Sequence, residues 1–190
     1  MNRRGADRTG PLGGAMVGLW GASSLVESVQ SGAISIGSAA NTSTATITTV
    51  DTTRSFVLHN GNTSNNGAAS PQASQMSVVL TNGTTVTAQR DSVGIADNST
   101  RYTVIAFRPG IVKSIQTGTV ELASVSTAVA TITAVNTAKS AIFWNGTRVA
   151  AALDNLLTLV RITSSTQVTV DRYSAAATQS YGSFTVVEFF

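Results

Sequence analysis

Hydrophobic and polar positions alternate with a period of two along most of this chain. Ile34 and Ile36 alternate with Ala33 and Ser35, and Met76, Val78 and Leu80 alternate with Ser77 and Val79, the pattern of strands that bury one face. Thr and Val enrichment suits such a pleated, half-buried surface. Asn60-Gly61, Asn82-Gly83 and Asn145-Gly146 punctuate the runs. Asn and Gly tolerate positive φ, so each pair predicts a hairpin turn. Residues 149–157 (VAAALDNLL) read as a helical turn, and residues 1–24 carry neither period and read as an extended arm.

The pattern occurs twice. VESVQSGAISIGS from Val26 returns as VKSIQTGTVELAS from Val112, and ATITTVDTTRSFVLHNGNT from Ala45 returns as ATITAVNTAKSAIFWNGT from Ala130. VVLTNGTTVTAQR from Val78 returns as LVRITSSTQVTVDR from Leu159, and YTVIAF from Tyr102 returns as FTVVEF from Phe184. The offset stays near about 85 residues, too long for a solenoid unit and right for a small domain. The expected fold is therefore all-β: two tandem duplicated antiparallel β-sandwich domains, residues 25–109 and 110–190, preceded by an extended N-terminal docking arm, residues 1–24. Arg108-Pro109-Gly110 is a joint short enough to give the copies a defined orientation. Each copy alone has a marginal core, so burial against its sister or a neighbouring subunit is expected. The copies differ most where residues 61–74, rich in Asn, Gly and Ser, stand against residues 149–157, and specialised contacts concentrate in such loops.

Composition narrows the chemistry. Only 11% of residues are charged, which gives a polar, weakly charged surface more typical of extracellular and virion β-proteins than of cytosolic enzymes. The net charge of +3 is scattered apart from Arg3, Arg4 and Arg8, so no nucleic-acid partner is expected. Cysteine is absent, which excludes disulfides and thiolate metal sites. The apolar run AMVGLWGASSLV after Arg3 and Arg4 is preceded by Pro11, interrupted by Gly18 and Gly21, and lacks a small-x-small cleavage pattern. It does not read as an export signal, and it is too short for membrane insertion.

Candidate chemistry is sparse. His59 is the only histidine, with no cysteine or carboxylate pair beside it, and reads as a strand-end residue before a turn rather than a base or metal ligand. Asp51, Asp91, Asp97, Asp154 and Asp171 sit at strand ends or turns, and no two form a glycosidase pair by sequence. Asp51 aligns with Asn136, which predicts a shared turn cap. Arg90 and Arg172 recur beside Asp91 and Asp171 and are expected to pair with turn carboxylates. The Asn-x-Ser/Thr triplets at Asn41, Asn62, Asn82, Asn98 and Asn145 read mostly as turns. No catalytic residue, cofactor or metal is expected, and the chain does not read as an enzyme. Partner docking falls to the glycine-rich arm, through Met16, Val17, Leu19 and above all Trp20, since tryptophan dominates buried interfaces. Phe189 matches Phe107 and reads as core, whereas Phe190 has no aromatic counterpart and is a further docking residue.

The pattern S-x-Q-S-G-x-I-x-I, followed by A-T-I-T-x-V-D-T-T-R-S-F-V and a closing Y-T-V-I-A-F, resembles the small β-sandwich modules of tailed-bacteriophage virion proteins, which occur in fibres, neck or collar appendages and head-decoration proteins. The likeness covers nearly all the chain beyond the arm, twice. It implies a non-enzymatic virion component, assembled in the host cytoplasm, whose arm docks on portal or neck, tail or major capsid proteins and whose sandwiches project as a homo-oligomer, a trimer or higher. The leading expectation is an appendage of the neck, collar or tail, a fibre or its adaptor. Capsid decoration, with the arm as cement between capsomers, is the alternative within that class. The opening and closing strands also resemble H-type lectin domains, although that family's tryptophan-containing C-terminal strand is replaced here by FTVVEFF from Phe184. This likeness implies a carbohydrate-binding adhesin for a host surface glycan, with Trp144, Tyr173 and Tyr181 as stacking candidates.

Overall fold

The structure, a computed structural model, describes residues 24–64, 75–91, 97–149, 158–173, 175 and 179–190. Among these the chain is all-β. The first half contributes β1 (Val26–Ile36), β2 (Thr42–Thr46), β3 (Ser55–Ser64), β4 (Ser77–Asn82), β5 (Thr85–Gln89) and β6 (Asn98–Phe107). The second contributes β7 (Val112–Leu122), β8 (Thr127–Thr131), β9 (Ser140–Val149), β10 (Thr158–Ser164), β11 (Gln167–Arg172) and β12 (Ser180–Phe189). Trp20 and the rest of the expected arm, residues 65–74 of the polar loop and residues 150–157 of the expected helical turn lie outside the described residues.

All strand pairs are antiparallel. The pairing order β1-β6-β3 recurs as β7-β12-β9, and β2-β5-β4 recurs as β8-β11-β10. One asymmetry breaks the correspondence: β4 also meets β9, at Ser77 opposite Gly146, which joins β2-β5-β4 and β9-β12-β7 into one six-stranded sheet.

Alternation along the strands sorts the side chains into three clusters. Ile34, Ile36, Val57, Val78, Val86 and Val104 form the first core. Val120, Leu122, Val168, Val170, Phe184 and Val186 form its counterpart. The residues in between, Phe56, Leu58, Ile105 and Phe107 from the first half with Val112, Phe143, Val187 and Phe189 from the second, meet in a third cluster at the seam. Strands β3 and β6 are thus apolar on both faces, one closing their own core and the other packing on the sister half. Each fully buried side chain of this size contributes about 1.5–3 kcal/mol, so the seam reinforces two cores that are small on their own. Strand β12 is buried almost throughout, whereas its counterpart β6 keeps one half-exposed face.

The repeated motif acquires a physical meaning here. Gln30 reaches across to the irregular segment after β2, its Nε2 donating to the Thr48 carbonyl at 2.9 Å and its Oε1 accepting the Thr48 N–H at 2.7 Å. Gln116 grips Thr133 in the same way, at 3.0 and 2.7 Å. Two residues later, Gly32 and Gly118 lie opposite Tyr102 and Phe184 in register. A methyl at Gly118 would stand 2.5 Å from the Phe184 ring, and one at Gly32 would stand 2.6 Å from the Tyr102 hydroxyl. The glycines leave room for rings laid across the neighbouring strand.

Asn82-Gly83 makes the expected hairpin between β4 and β5, with Asn82 Oδ1 accepting the Thr84 N–H at 2.9 Å. The other two Asn-Gly pairs are not hairpins. Asn60-Gly61 and Asn145-Gly146 are bulges inside β3 and β9, each marked by a register shift and by a positive φ, 103° at Gly61 and 112° at Gly146. A positive φ serves a turn and a bulge equally, so the dipeptide alone does not separate them.

Candidate functional site

The seam between the halves brings sequence-equivalent residues face to face. His59 and Trp144, the residues before the two bulges, stand edge-on with ring centroids 5.1 Å apart. Phe107 and Phe189, also equivalent, meet edge-on at 5.8 Å, and beside them Phe56 stacks on Phe143, the counterpart of Leu58, at 4.6 Å. His59 is held by its neighbours: its Nε2 lies 2.7 Å from Asn62 Oδ1, and its Nδ1 accepts the Gly61 N–H at 3.3 Å. Burial pushes its pKa down, against the opposing hydrogen bond to Asn62. It is a mid-strand residue beside a bulge, not a strand-end residue before a turn.

The bulges have the same internal geometry. Asn60 Nδ2 donates to Thr103 Oγ1 at 2.7 Å, and Asn145 Nδ2 donates to Thr185 Oγ1 at 2.8 Å. They differ in what covers them. Gly146 is overlaid by the Met76 carbonyl and by Ser77 Cα, whereas among the described residues nothing lies within 4 Å of the corresponding point on Gly61.

At a second pair of bulges, Glu27 in β1 and Lys113 in β7, the halves use opposite charges. In the first half Arg54 is the central cation, bonded to Glu27, to Asp51 and to the Phe107 carbonyl. A cleft of about 540 Å³ opens beside it, lined by Gln30, Thr48, Asp51, Arg54 and Ala106 among others. In the second half Glu188 replaces Ala106 as the central anion and takes bonds from the Asn136 N–H, Lys113 Nζ and Ser114 Oγ. The Asn136 N–H, and then Lys113, hold its carboxyl below the usual range. Asp51 Oδ1 accepts the Thr53 N–H at 2.9 Å and Asn136 Oδ1 the Ala138 N–H at 3.0 Å, the shared turn cap. Hydrogen bonds from Thr53 lower the Asp51 pKa, helped by Arg54.

Arg90 and Arg172 are almost fully buried, at 1% and 5% exposure, and serve turn carbonyls, not the adjacent Asp91 and Asp171. Arg90 donates to the Gly37 and Ala40 carbonyls, and Arg172 donates to the equivalent Val125 carbonyl and to Ser180. Their neighbours bond elsewhere: Asp91 to Arg148 at 2.8 Å and Asp171 to Arg161 at 2.8 Å. Guanidinium forks suit closely spaced carbonyls at the end of a turn. Asn98 and Asn145, two of the Asn-x-Ser/Thr positions, are 1% exposed and inaccessible to modification in the folded chain.

The stacking candidates have separate surroundings. Trp144 is half-buried and donates Nε1–H to Thr158 Oγ1 at 3.3 Å. Tyr181 lies under the Arg148 guanidinium, 4.8 Å from its ring centroid. Tyr173 is 89% exposed. Arg148 also carries the ion pair to Asp91 that ties the halves together, and burial raises the Asp91 pKa against the pull of that arginine. Of the docking candidates, Phe190 is 66% exposed, with its N–H bonded to the Ile111 carbonyl, and Met16, Val17, Leu19 and Trp20 lie outside the described residues. Among the described residues no cluster of three metal-ligating side chains occurs and no helix is long and apolar enough to cross a membrane.

Sequence reasoning passed over the glutamine grip, the glycine–ring pairs and the Asp91–Arg148 tie. The first two left a signal, since Q-S-G and Q-T-G stand at the same place in both copies; the third left none, because neither residue has an equivalent partner in the other half. No family model, curated protein or solved structure matches this chain.

Proposed function

We propose that the two halves are duplicated antiparallel β-sandwich domains, residues 25–109 and 110–190, and that the chain is a non-enzymatic structural component of a tailed-bacteriophage virion. On this reading it is a neck, collar or tail appendage, a fibre or adaptor, which docks through residues 1–24 on other virion proteins and works as a homo-oligomer. The observation that carries the reading is the use made of the repeated polar residues. Gln30 and Gln116, Arg90 and Arg172, and Asn60 and Asn145 all hold strands, turns and bulges in place. A frame kept twice for architecture is the economy of a building block. Deletion of residues 1–24 tests it: the described strands should still fold while incorporation into particles is lost, and normal incorporation overturns the reading. The position of the chain in an image of the particle separates a tail-axis appendage from capsid decoration on the facets.

A carbohydrate-binding adhesin is favoured by one observation, the 89% exposure of Tyr173. Binding on a glycan array that disappears with Tyr173→Ala would establish it; an array without binding rejects it.

A further inference from the structure

The two Asn-Gly bulges form a pair of sockets built to one plan, of which the chain fills one. In the second half, the start of β4 lies on the Asn145-Gly146 bulge, with Ser77 opposite Gly146. A side chain at Gly146 would run into the Met76 carbonyl. Under this cover Asn145 is 1% exposed, Thr185 0%, Ser183 7% and Ser77 4%. The first half repeats the bulge, the positive φ and the Asn–Thr hydrogen bond, yet Asn60, Gly61 and Arg101 are exposed. The socket is formed and open.

The matching tongue is also present and also unused. Ser77 pairs with Gln89, the residue before Arg90, and Leu159 pairs with Asp171, the residue before Arg172. Leu159 is therefore the counterpart of Ser77, and it is 72% exposed. The positive φ of Gly61 accounts for its glycine, but nothing among the described residues accounts for a large apolar residue standing in water at a strand position whose twin lies in the contact between the halves.

We propose that a second copy of this chain fills the open socket: β10 of one molecule lies on the β3 bulge of the next, with Leu159 over Gly61. The inference rests on reading the halves as duplicated units, and it names the surface through which the proposed homo-oligomer forms. Polar groups support the match. Gln89 and Ser183 line one cleft at the filled socket, and their counterparts are Asp171 on the tongue, already paired with Arg161, and Arg101 on the socket, so the contact would let two arginines share one carboxylate. Main-chain pairing at an edge contributes affinity and the side chain over the bulge contributes register. Because the two partners use different patches, the contact is head-to-tail, and its repetition gives a ring when the rotation closes and a filament when it does not.

The test uses the purified full chain. Light scattering should give a mass that is a multiple of 19.5 kDa. Leu159→Asp, which changes an exposed side chain and should leave the circular dichroism unchanged, should raise the concentration at which the oligomer dissociates about tenfold or more, since a carboxylate would be desolvated in the contact. The chain has no cysteine, so Leu159→Cys in one batch and Thr63→Cys in another give a specific readout with a short thiol cross-linker. The mixture should cross-link, and neither variant should cross-link alone. A single-chain mass at every concentration overturns the proposal, as does an oligomer indifferent to Leu159→Asp, cross-linking of Leu159→Cys by itself, or a socket that binds only a different protein. These outcomes are read without particles, so they are independent of whether residues 1–24 direct incorporation.

Discussion

His59 and Trp144 occupy the same place in the two halves and touch each other across the seam, ring edge to ring face at 5.1 Å and 77°. The divergence of this pair is thus a specialisation of one contact. Burial lowers the His59 pKa from its ordinary 6.5. A depressed folded-state pKa means that the unfolded chain binds the proton more readily, so the stabilisation is complete above about 6.5 and is lost as pH falls through the folded value. The unfolding midpoint should fall on acidification below 6.5, down to the depressed folded value. His59→Gln should flatten that part of the profile, measured by urea denaturation; an unchanged slope would show that the ring is not held neutral by the seam.

The glycine–ring pairs make a steric prediction. Gly118→Ala should cost about 1–3 kcal/mol, the usual penalty for overpacking, because the Phe184 ring is 1% exposed and has no free direction in which to move. Adding Phe184→Leu to Gly118→Ala should recover part of the loss. Two effects that simply add in thermal denaturation would mean that the ring and the glycine are not coupled.

Gln30 and Gln116 each make two hydrogen bonds to one backbone unit. Replacing either by Ala should cost about 1–2 kcal/mol, the net worth of two exposed hydrogen bonds. The grips lie in different halves, so the double variant should lose close to the sum. Chemical denaturation of the four chains measures this; strong non-additivity would place the two grips in one network.

Glu188 is 2% exposed and accepts bonds from Asn136, Lys113 and Ser114. Its pKa is lowered from the ordinary 4.5, first by the Asn136 N–H and then by Lys113. That stabilisation is present above about 4.5 and disappears as pH falls through the depressed value. Glu188→Gln should therefore lower the melting temperature at neutral pH, and the gap from the parent chain should close as pH falls below 4.5 through the depressed value. A gap that persists in acid would assign the role of Glu188 to shape alone.

Much of the fold was legible in the chain. The two-residue period marks β1, β4 and their repeats because one-sided burial imposes it, and the duplicated strings fall on strands that, among the described residues, pair in the same order in both halves, an order the strings did not state. The turn chemistry was legible only in part. Asn82-Gly83 turns the chain, but Asn60-Gly61 and Asn145-Gly146 keep it running through a bulge, and the same dihedral serves both uses. The buried arginines were legible as a recurrence, not as carbonyl caps, because the acids beside them in sequence point to other partners.

What the sequence determined by itself is the part of the structure that depends on local rules: strand periodicity, a glycine at each of the two bulges where φ is positive, and the twofold recurrence of a frame. What only the tertiary structure decided is which of two equal copies of a feature is covered. Asn60-Gly61 and Asn145-Gly146 are the same string with the same hydrogen bond, one under β4 and one open. The reason is that docking the halves breaks their equivalence. Once β4 has been placed on β9, the matching surfaces on β3 and β10 face away from it, and no local pattern encodes that choice.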